Sequence, residues 1–336
     1  MRYAHIDRVS AGNVVALPII DIKGKIIVNA NVVLTAFIID RLKVLGYTGM
    51  YIYDNLSKDI EFKQNVDLLT KMEAAESVHN KDFDQCMYIA QYMVSELLAN
   101  GSDIYTSMET IGSYDAGTYL HSINVATYSG ILGMLIGLSA EKMKQLVVTA
   151  MLHDIGKTLI DEDIINKQGK LTAEEFEIVK THPRLGYDLL KENESVPSVV
   201  RVSILEHHEN ADGSGYPIGL KDDDIYLFAK IIHICDVYDA MISKRPYKKE
   251  INPADVLEHL MAQAGTMFNY GLAVTFVKNV IPYPEGVLVE LSNGKICVVK
   301  QNIKGYALRP VVIEVDTGIE HNLLTELSLT IVKICI

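Results

Sequence analysis

Two blocks of this sequence carry side chains that can do chemistry together. The first is His153-Asp154-Ile155-Gly156-Lys157. The second is His207-His208-Glu209, which runs into Asp212-Gly213-Ser214-Gly215-Tyr216-Pro217. The first block sets a nitrogen ligand beside a carboxylate and adds a cation three residues on. The second doubles the nitrogen ligands and leads into a loop punctuated by glycine and proline. A mixed His/Asp metal centre next to an anion-binding lysine is the equipment of metal-assisted phosphoester hydrolysis.

His121, His182 and Asp236 extend the two blocks into a series whose members stand roughly 25 to 35 residues apart, an interval that fits one or two helices and a turn, so a bundle can aim one or two ligands per step at a common centre. The set His121, His153, Asp154, His182, His207, His208 and Asp236 exceeds what one tetrahedral ion takes. Two divalent ions bridged by a carboxylate use all of it, and Asp154 is the obvious bridge. Imidazole and carboxylate without thiolate suit iron, manganese, zinc or nickel. The other histidines, His5, His79, His233, His259 and His321, lack an acidic or histidine neighbour suited to the role. His233 lies in the apolar run 229–235 and reads as a core histidine.

Cations for an anionic substrate are also at hand. Lys157 follows Asp154 by three residues, and Asp239, Arg245 and Lys248 follow Asp236 at three, nine and twelve. Arginine grips phosphate oxygens in a fork; lysine acts as a point charge. The loop Asp212 to Pro217, with two glycines and a proline, forms a tight turn that shapes the pocket mouth.

The elements that position these residues follow from periodicity. Residues 1–65 read as a small α+β domain, with short β-rich runs around a Lys23-Gly24 turn and a helix capped by Thr35. Residues 66–114 read as a helical linker. Its apolar stripe Phe83, Met87, Ala90, Met93 and Leu97 is either core or a homodimer contact. Residues 115–281 are helical nearly throughout, with Ser139 as a cap and Thr172/Glu175 as a capping box. Residues 282–336 alternate in β-branched runs with a hairpin signal at Ser292-Asn293-Gly294, a small all-β appendage without a ligand cluster. The fold class is therefore mainly α, a helical bundle with a small domain on either side. Every candidate ligand lies between about 101 and 282, so that core is expected to act alone.

With 336 residues, nearly half of them apolar, the chain can bury a sizeable core. A net charge of −12 argues against a nucleic-acid polymer as partner. Cys86, Cys235, Cys297 and Cys335 are scattered without paired spacing, no apolar run reaches the length of a membrane span, and no signal peptide is visible; the expected location is the cytoplasm.

The stretch from about Asp115 to Phe276 resembles the HD-GYP domain, a branch of the HD phosphohydrolase superfamily. The resemblance rests on His121-Ser122, HDIGK at 153–157, THP at 181–183, HHE with DGSGYP at 207–217, and DVYDAM with KRPYK at 236–248. It implies an all-helical domain holding two or three metals, often iron or manganese, and hydrolysis of cyclic di-GMP to pGpG or GMP by a metal-bridging hydroxide. It also implies that the seven residues above are the ligands. Lys157, Asp239, Arg245, Lys248 and Gly215-Tyr216-Pro217 would contact the substrate. Family members with three metals carry a glutamate where this chain has Gly117, which points to two ions here. The family's usual FDP is Phe268-Asn269-Tyr270. The general acid is either a metal-bound water or Asp239. Two rival readings keep the site but change its use: a cyclic-dinucleotide sensor with little turnover, or a phosphohydrolase for cyclic GMP-AMP or a guanosine polyphosphate. A third is a non-enzymatic helical scaffold.

Overall fold

The computed structural model of the protein describes residues 1–21, 25–47, 49–54, 60, 63–101, 103–105, 117–167, 169–242 and 251–335. The Lys23-Gly24 turn, Asp115, Arg245 and Lys248 lie outside these.

The chain opens with β1 (Arg2–His5), β2 (Val14–Val15), β3 (Ile19–Ile20), β4 (Ile26–Val28), helix α1 (Ala36–Val44) and β5 (Gly49–Tyr53). β5 is the middle strand of an antiparallel sheet ordered β1-β5-β2, with Arg2 opposite Ile52. The Thr35 side chain accepts from the Ile38 N–H and so starts α1 as expected.

A helical unit follows: α2 (Leu68–His79), α3 (Phe83–Asn100), the short β6 (Ile104–Tyr105), α4 (Gly117–Leu135), α5 (Ala140–Leu152), α6 (Glu162–Ile165), α7 (Ala173–Val179), α8 (His182–Lys191), α9 (Ser198–Glu206), α10 (Leu227–Ile242), α11 (Pro253–Ala262) and α12 (Tyr270–Asn279). Ser139 caps α5, and Thr172 with Glu175 closes a capping box on α7. One apolar core runs through this unit from Val66 to Val280, and α2 and α3 are part of it. Ala90, Met93 and Leu97 are fully buried there, with Phe83 and Met87 packed at its edge. The stripe on α3 is therefore spent on the core, the first of the two uses read for it.

After α12 come β7 (Val280–Ile281), β8 (Leu288–Leu291), β9 (Ile296–Gln301), β10 (Val311–Glu314), β11 (Glu320–Asn322) and β12 (Ile331–Ile334). β7 pairs in parallel with β6. The other five strands form an antiparallel sheet ordered β11-β10-β9-β8-β12. Its β8–β9 turn is Ser292-Asn293-Gly294, with Gly294 at φ +80°, the left-handed conformation that glycine adopts at no steric cost. Tyr3 and Tyr51 of the first sheet, with Ala16 just after β2, share a core with Val289, Val299 and Val312 of the last and with Tyr283 between β7 and β8. The two flanks thus pack on each other. No helix among the described residues is long and apolar enough to cross a membrane.

Candidate metal centre

Helix ends build the centre. His153 follows the last residue of α5, His182 is the first of α8, and His207 follows the last of α9. A helix C-terminus leaves carbonyls without partners. Each imidazole takes one three residues back: His153 Nδ1 lies 2.7 Å from the Ala150 carbonyl, His182 Nδ1 2.8 Å from Val179, and His207 Nδ1 2.6 Å from Ile204. A carbonyl only accepts, so Nδ1 carries the proton in all three. In the neutral ring Nε2 is then a bare lone pair facing inward, the second-sphere arrangement that orients metal-bound histidines. The first block folds this tightly because Gly156 abuts α8, where a Cβ would collide with the His182 carbonyl.

Those lone pairs face one another. His182 Nε2 is 3.3 Å from His207 Nε2 and 3.3 Å from Asp154 Oδ1. With both ring protons committed to carbonyls, no hydrogen bond joins these atoms; a shared cation satisfies all of them. Burial and the neighbouring His208 hold His207 well below the usual imidazole range, which keeps it a neutral donor. His208 is lowered likewise, by burial first.

Two donor sets meet at one carboxylate. Asp154, His182, His207 and His208 offer ligand atoms within 4.8 Å of one another, and so do His121, His153 and Asp154. Asp236, on α10, borders the second set: its Oδ1 lies 3.0 Å from His121 Nε2 and 3.9 Å from His153 Nε2. The structure therefore brings together all seven residues read from the sequence as ligands. Burial works against the charged form of Asp154, but the Lys157 ammonium, the largest opposing influence, helps hold the carboxyl well below its ordinary value. Lys157 Nζ is 2.6 Å from Asp154 Oδ2 and remains partly exposed, so the cation stands at the open side.

Asp239 occupies a different place from the one expected. It is fully buried, and its Oδ2 lies 2.7 Å from His121 Nδ1. It stands behind His121, a carboxylate that orients the ring, not a group facing substrate. Burial alone lowers the His121 pKa, but Asp236 and Asp239 outweigh it and lift it to about 10.

The glycine-rich loop is held from beneath by Glu209, which the sequence reading passed over. Its buried carboxylate accepts from the backbone N–H groups of Ile218, Gly219 and Leu220, at 2.7, 2.9 and 2.9 Å. The signal was available: a loop this rich in glycine and proline leaves amides unpaired, and a carboxylate stands beside it. His233 is buried as expected, yet its Nε2 lies 3.1 Å from Asn210 Oδ1, so it too braces the loop. Gly215 is required because a Cβ there would collide with the Asn210 backbone nitrogen. The result is that Tyr216 stacks on His208, ring centroids 4.7 Å apart and planes 22° from parallel. Burial raises the Tyr216 phenol, which stays protonated.

Comparison with known proteins gives the same picture at larger scale. Residues 93–272 match the HD domain family model. Over 193 residues the chain is 39% identical to a cyclic di-GMP phosphodiesterase of Pseudomonas aeruginosa, an alignment covering 57% of this chain and 46% of that one. It is 35% identical over 166 residues to a 3′3′-cGAMP-specific phosphodiesterase of Vibrio cholerae, covering 49% of this chain and 32% of the relative. The chain thus spans less than half the length of these relatives. Among solved structures, an HDG"Y"P protein of Bdellovibrio bacteriovorus superposes with a TM-score of 0.52 at 18% identity, over 82% of this chain and 97% of that one. At that identity the likeness concerns the fold, and it extends beyond the helical unit into the flanks.

Proposed function

The chain belongs to the HD domain family, and on that premise we propose that it is a metal-dependent phosphodiesterase that hydrolyses cyclic di-GMP to pGpG, with GMP as the product of a second cut. The observation that carries the proposal is the convergence of Nε2 lone pairs and carboxylate oxygens on Asp154, a cluster of donor atoms that divalent ions satisfy together. His121, His153, Asp154 and Asp236 would hold one divalent ion, and Asp154, His182, His207 and His208 would hold a second. Nitrogen and oxygen donors without thiolate suit iron or manganese, and also zinc or nickel. When bound, such ions supply Lewis acidity and a water of lowered pKa.

The chain's own residues do the rest. Lys157 would turn from Asp154 to a phosphate oxygen, and Arg245 and Lys248 would hold the further charge that builds as the oxygen of a water bonds to phosphorus, the P–O3′ bond breaks and a proton from that water passes to the departing 3′ oxygen. Asp239 fixes the ring of His121. Gly215, Tyr216 and Pro217 frame the mouth, with Tyr216 covering His208. The substrate, a dinucleotide, is polyanionic, so these local cations matter in a chain of net charge −12. A cytoplasmic location accords with four free cysteines and a nucleotide messenger.

The test is product analysis on anaerobically purified, metal-assayed full-length protein. Cyclic di-GMP is expected to give pGpG. A fully metal-loaded protein that binds but never cleaves it would make the chain a sensor. Faster turnover of 3′3′-cyclic GMP-AMP would overturn the substrate assignment.

A further inference from the structure

Outside every motif, the end of α7 presents three side chains beside the metal centre. Phe176 is 48% exposed although aromatic. The Lys180 ammonium sits 5.1 Å from its ring centroid and 5.7 Å from that of Tyr216, which in turn stacks on His208. Glu177, also exposed, lies 2.6 Å from Lys180 Nζ through its Oε1. The placement is tied to the centre through the backbone, since the Val179 carbonyl at the end of α7 fixes His182. An exposed aromatic ring, a cation and a carboxylate therefore stand side by side, next to the tyrosine ring that stacks on the candidate ligand His208.

Base chemistry matches that row. The Watson–Crick edge of guanine runs from an acceptor, O6, to two adjacent donors, N1–H and the N2 amine. A lysine beside a carboxylate offers the complementary order, donor and then acceptor. Adenine presents a donor followed by an acceptor, the reverse. An aromatic ring accepts any base by stacking, so Phe176 contributes affinity and the Glu177–Lys180 pair contributes the choice of base. A surface ion pair of this kind adds little stability, so its partners are free to exchange with a ligand edge.

We propose that Phe176, Glu177 and Lys180 form a guanine subsite that seats one base of the cyclic dinucleotide while its phosphodiester lies at Asp154. Phe176 stacks on the base, Glu177 accepts from N1–H and N2–H, and Lys180 donates to O6. The substrate part of this rests on the function proposed above.

The experiment is equilibrium binding of cyclic di-GMP and cyclic di-AMP to full-length, metal-assayed protein, with turnover measured in parallel. Phe176→Ala is expected to weaken cyclic di-GMP binding by about tenfold or more, the size of one lost base–aromatic stack, at unchanged metal content. Phe176→Tyr, which keeps the ring, is expected to bind like the parent. Glu177→Gln is expected to shrink the preference for cyclic di-GMP over cyclic di-AMP by about tenfold. Parent-like affinity and preference in both Phe176→Ala and Glu177→Gln would overturn the subsite even if hydrolysis is found. Binding that depends on these residues in a protein that does not hydrolyse would leave the subsite standing and remove the phosphodiesterase. A parent protein that binds neither ligand overturns both.

Discussion

Asp154 is the residue on which the centre depends, because it alone belongs to both donor sets. Asp154→Ala is expected to strip metal from both positions and abolish turnover; a variant that keeps two ions per chain by metal analysis would refute the bridging role. Asp239 makes a finer test. Removing a carboxylate behind a ligating imidazole costs about ten- to a hundredfold in metal affinity. Asp239→Ala is expected to show that loss, while Asp239→Asn, whose amide oxygen still accepts from His121 Nδ1, retains more. An effect on substrate affinity with metal binding intact would return Asp239 to the substrate-contacting role first read for it. At this scale the sequence was legible where residue type alone dictates chemistry: seven histidines and aspartates at helix-sized intervals. It was not legible for Asp239 or His233. Their roles depend on which ring nitrogen or loop amide each one meets, and spacing along the chain does not encode that. His321 is a similar case. It was read as having no neighbour suited to holding a metal, and spacing did not reveal that its ring lies 2.8 Å from Glu326 and 3.1 Å from Glu314 at the end of β10.

Among the elements, the loop after α9 is the one most exposed to single changes. Glu209 satisfies three consecutive amides of the loop, and a buried polar group left unpaired costs roughly 1–3 kcal/mol. Glu209→Ala is therefore expected to loosen Tyr216 from His208 and to lower the melting temperature. It should also raise amide exchange across 216–220 more than elsewhere, which hydrogen-exchange mass spectrometry reads directly. Uniform exchange across the molecule would mean that the carboxylate does not hold the loop. The β10–β11 hairpin gives a pH prediction. Glu326, then Glu314, raise the pKa of His321 above its ordinary 6.5, so that share of stability is full below 6.5 and fades as pH rises through the folded value. Thr317, then His321, lower Glu314, and His321 lowers Glu326, from an ordinary 4.5; their share is full above 4.5 and fades as pH falls through the folded values. The hairpin should be most stable between about 4.5 and 6.5. His321→Asn is expected to flatten the melting temperature across pH 5 to 8, roughly the range in which histidine titrates; an unchanged pH profile would show that the bridge carries no stability. Element existence was readable from caps and turns, as Thr35, Ser139, Thr172 and Ser292-Asn293-Gly294 attest. Which elements share a core was not, because an apolar stripe names no partner.

At the scale of the molecule this decides what the smallest active piece is. The ligands all lie between about 101 and 282, which led to the expectation that this segment acts alone. The packing argues otherwise. Met72, Val78, Ile89, Met93, Val94 and Leu97 of α2 and α3 are buried in the same core as α4, α5 and α10. Burial of such a side chain is worth about 1.5–3 kcal/mol. Losing six of them removes about as much as the roughly 5–15 kcal/mol that keeps a domain folded. The two ligand-bearing helices nearest the cut, α4 and α5, would also present their covered faces to water. A 101–282 fragment is accordingly expected to lack a cooperative melt and to bind no metal. A fragment from 63 to 282 keeps α2, α3 and the β6–β7 pair that closes the helical unit. It is expected to melt cooperatively with a full metal complement. Its melting temperature should fall below that of the whole chain, because the cut removes Tyr283, whose hydroxyl donates to the Asn252 side chain that caps α11. Calorimetry and metal analysis on the two fragments settle the boundary. Cooperative, metal-loaded 101–282 would show that α2 and α3 are only attached to the catalytic unit. Failure of 63–282 to fold would show that the paired flanks, through their shared core around Tyr3, Tyr51 and Tyr283, are part of it.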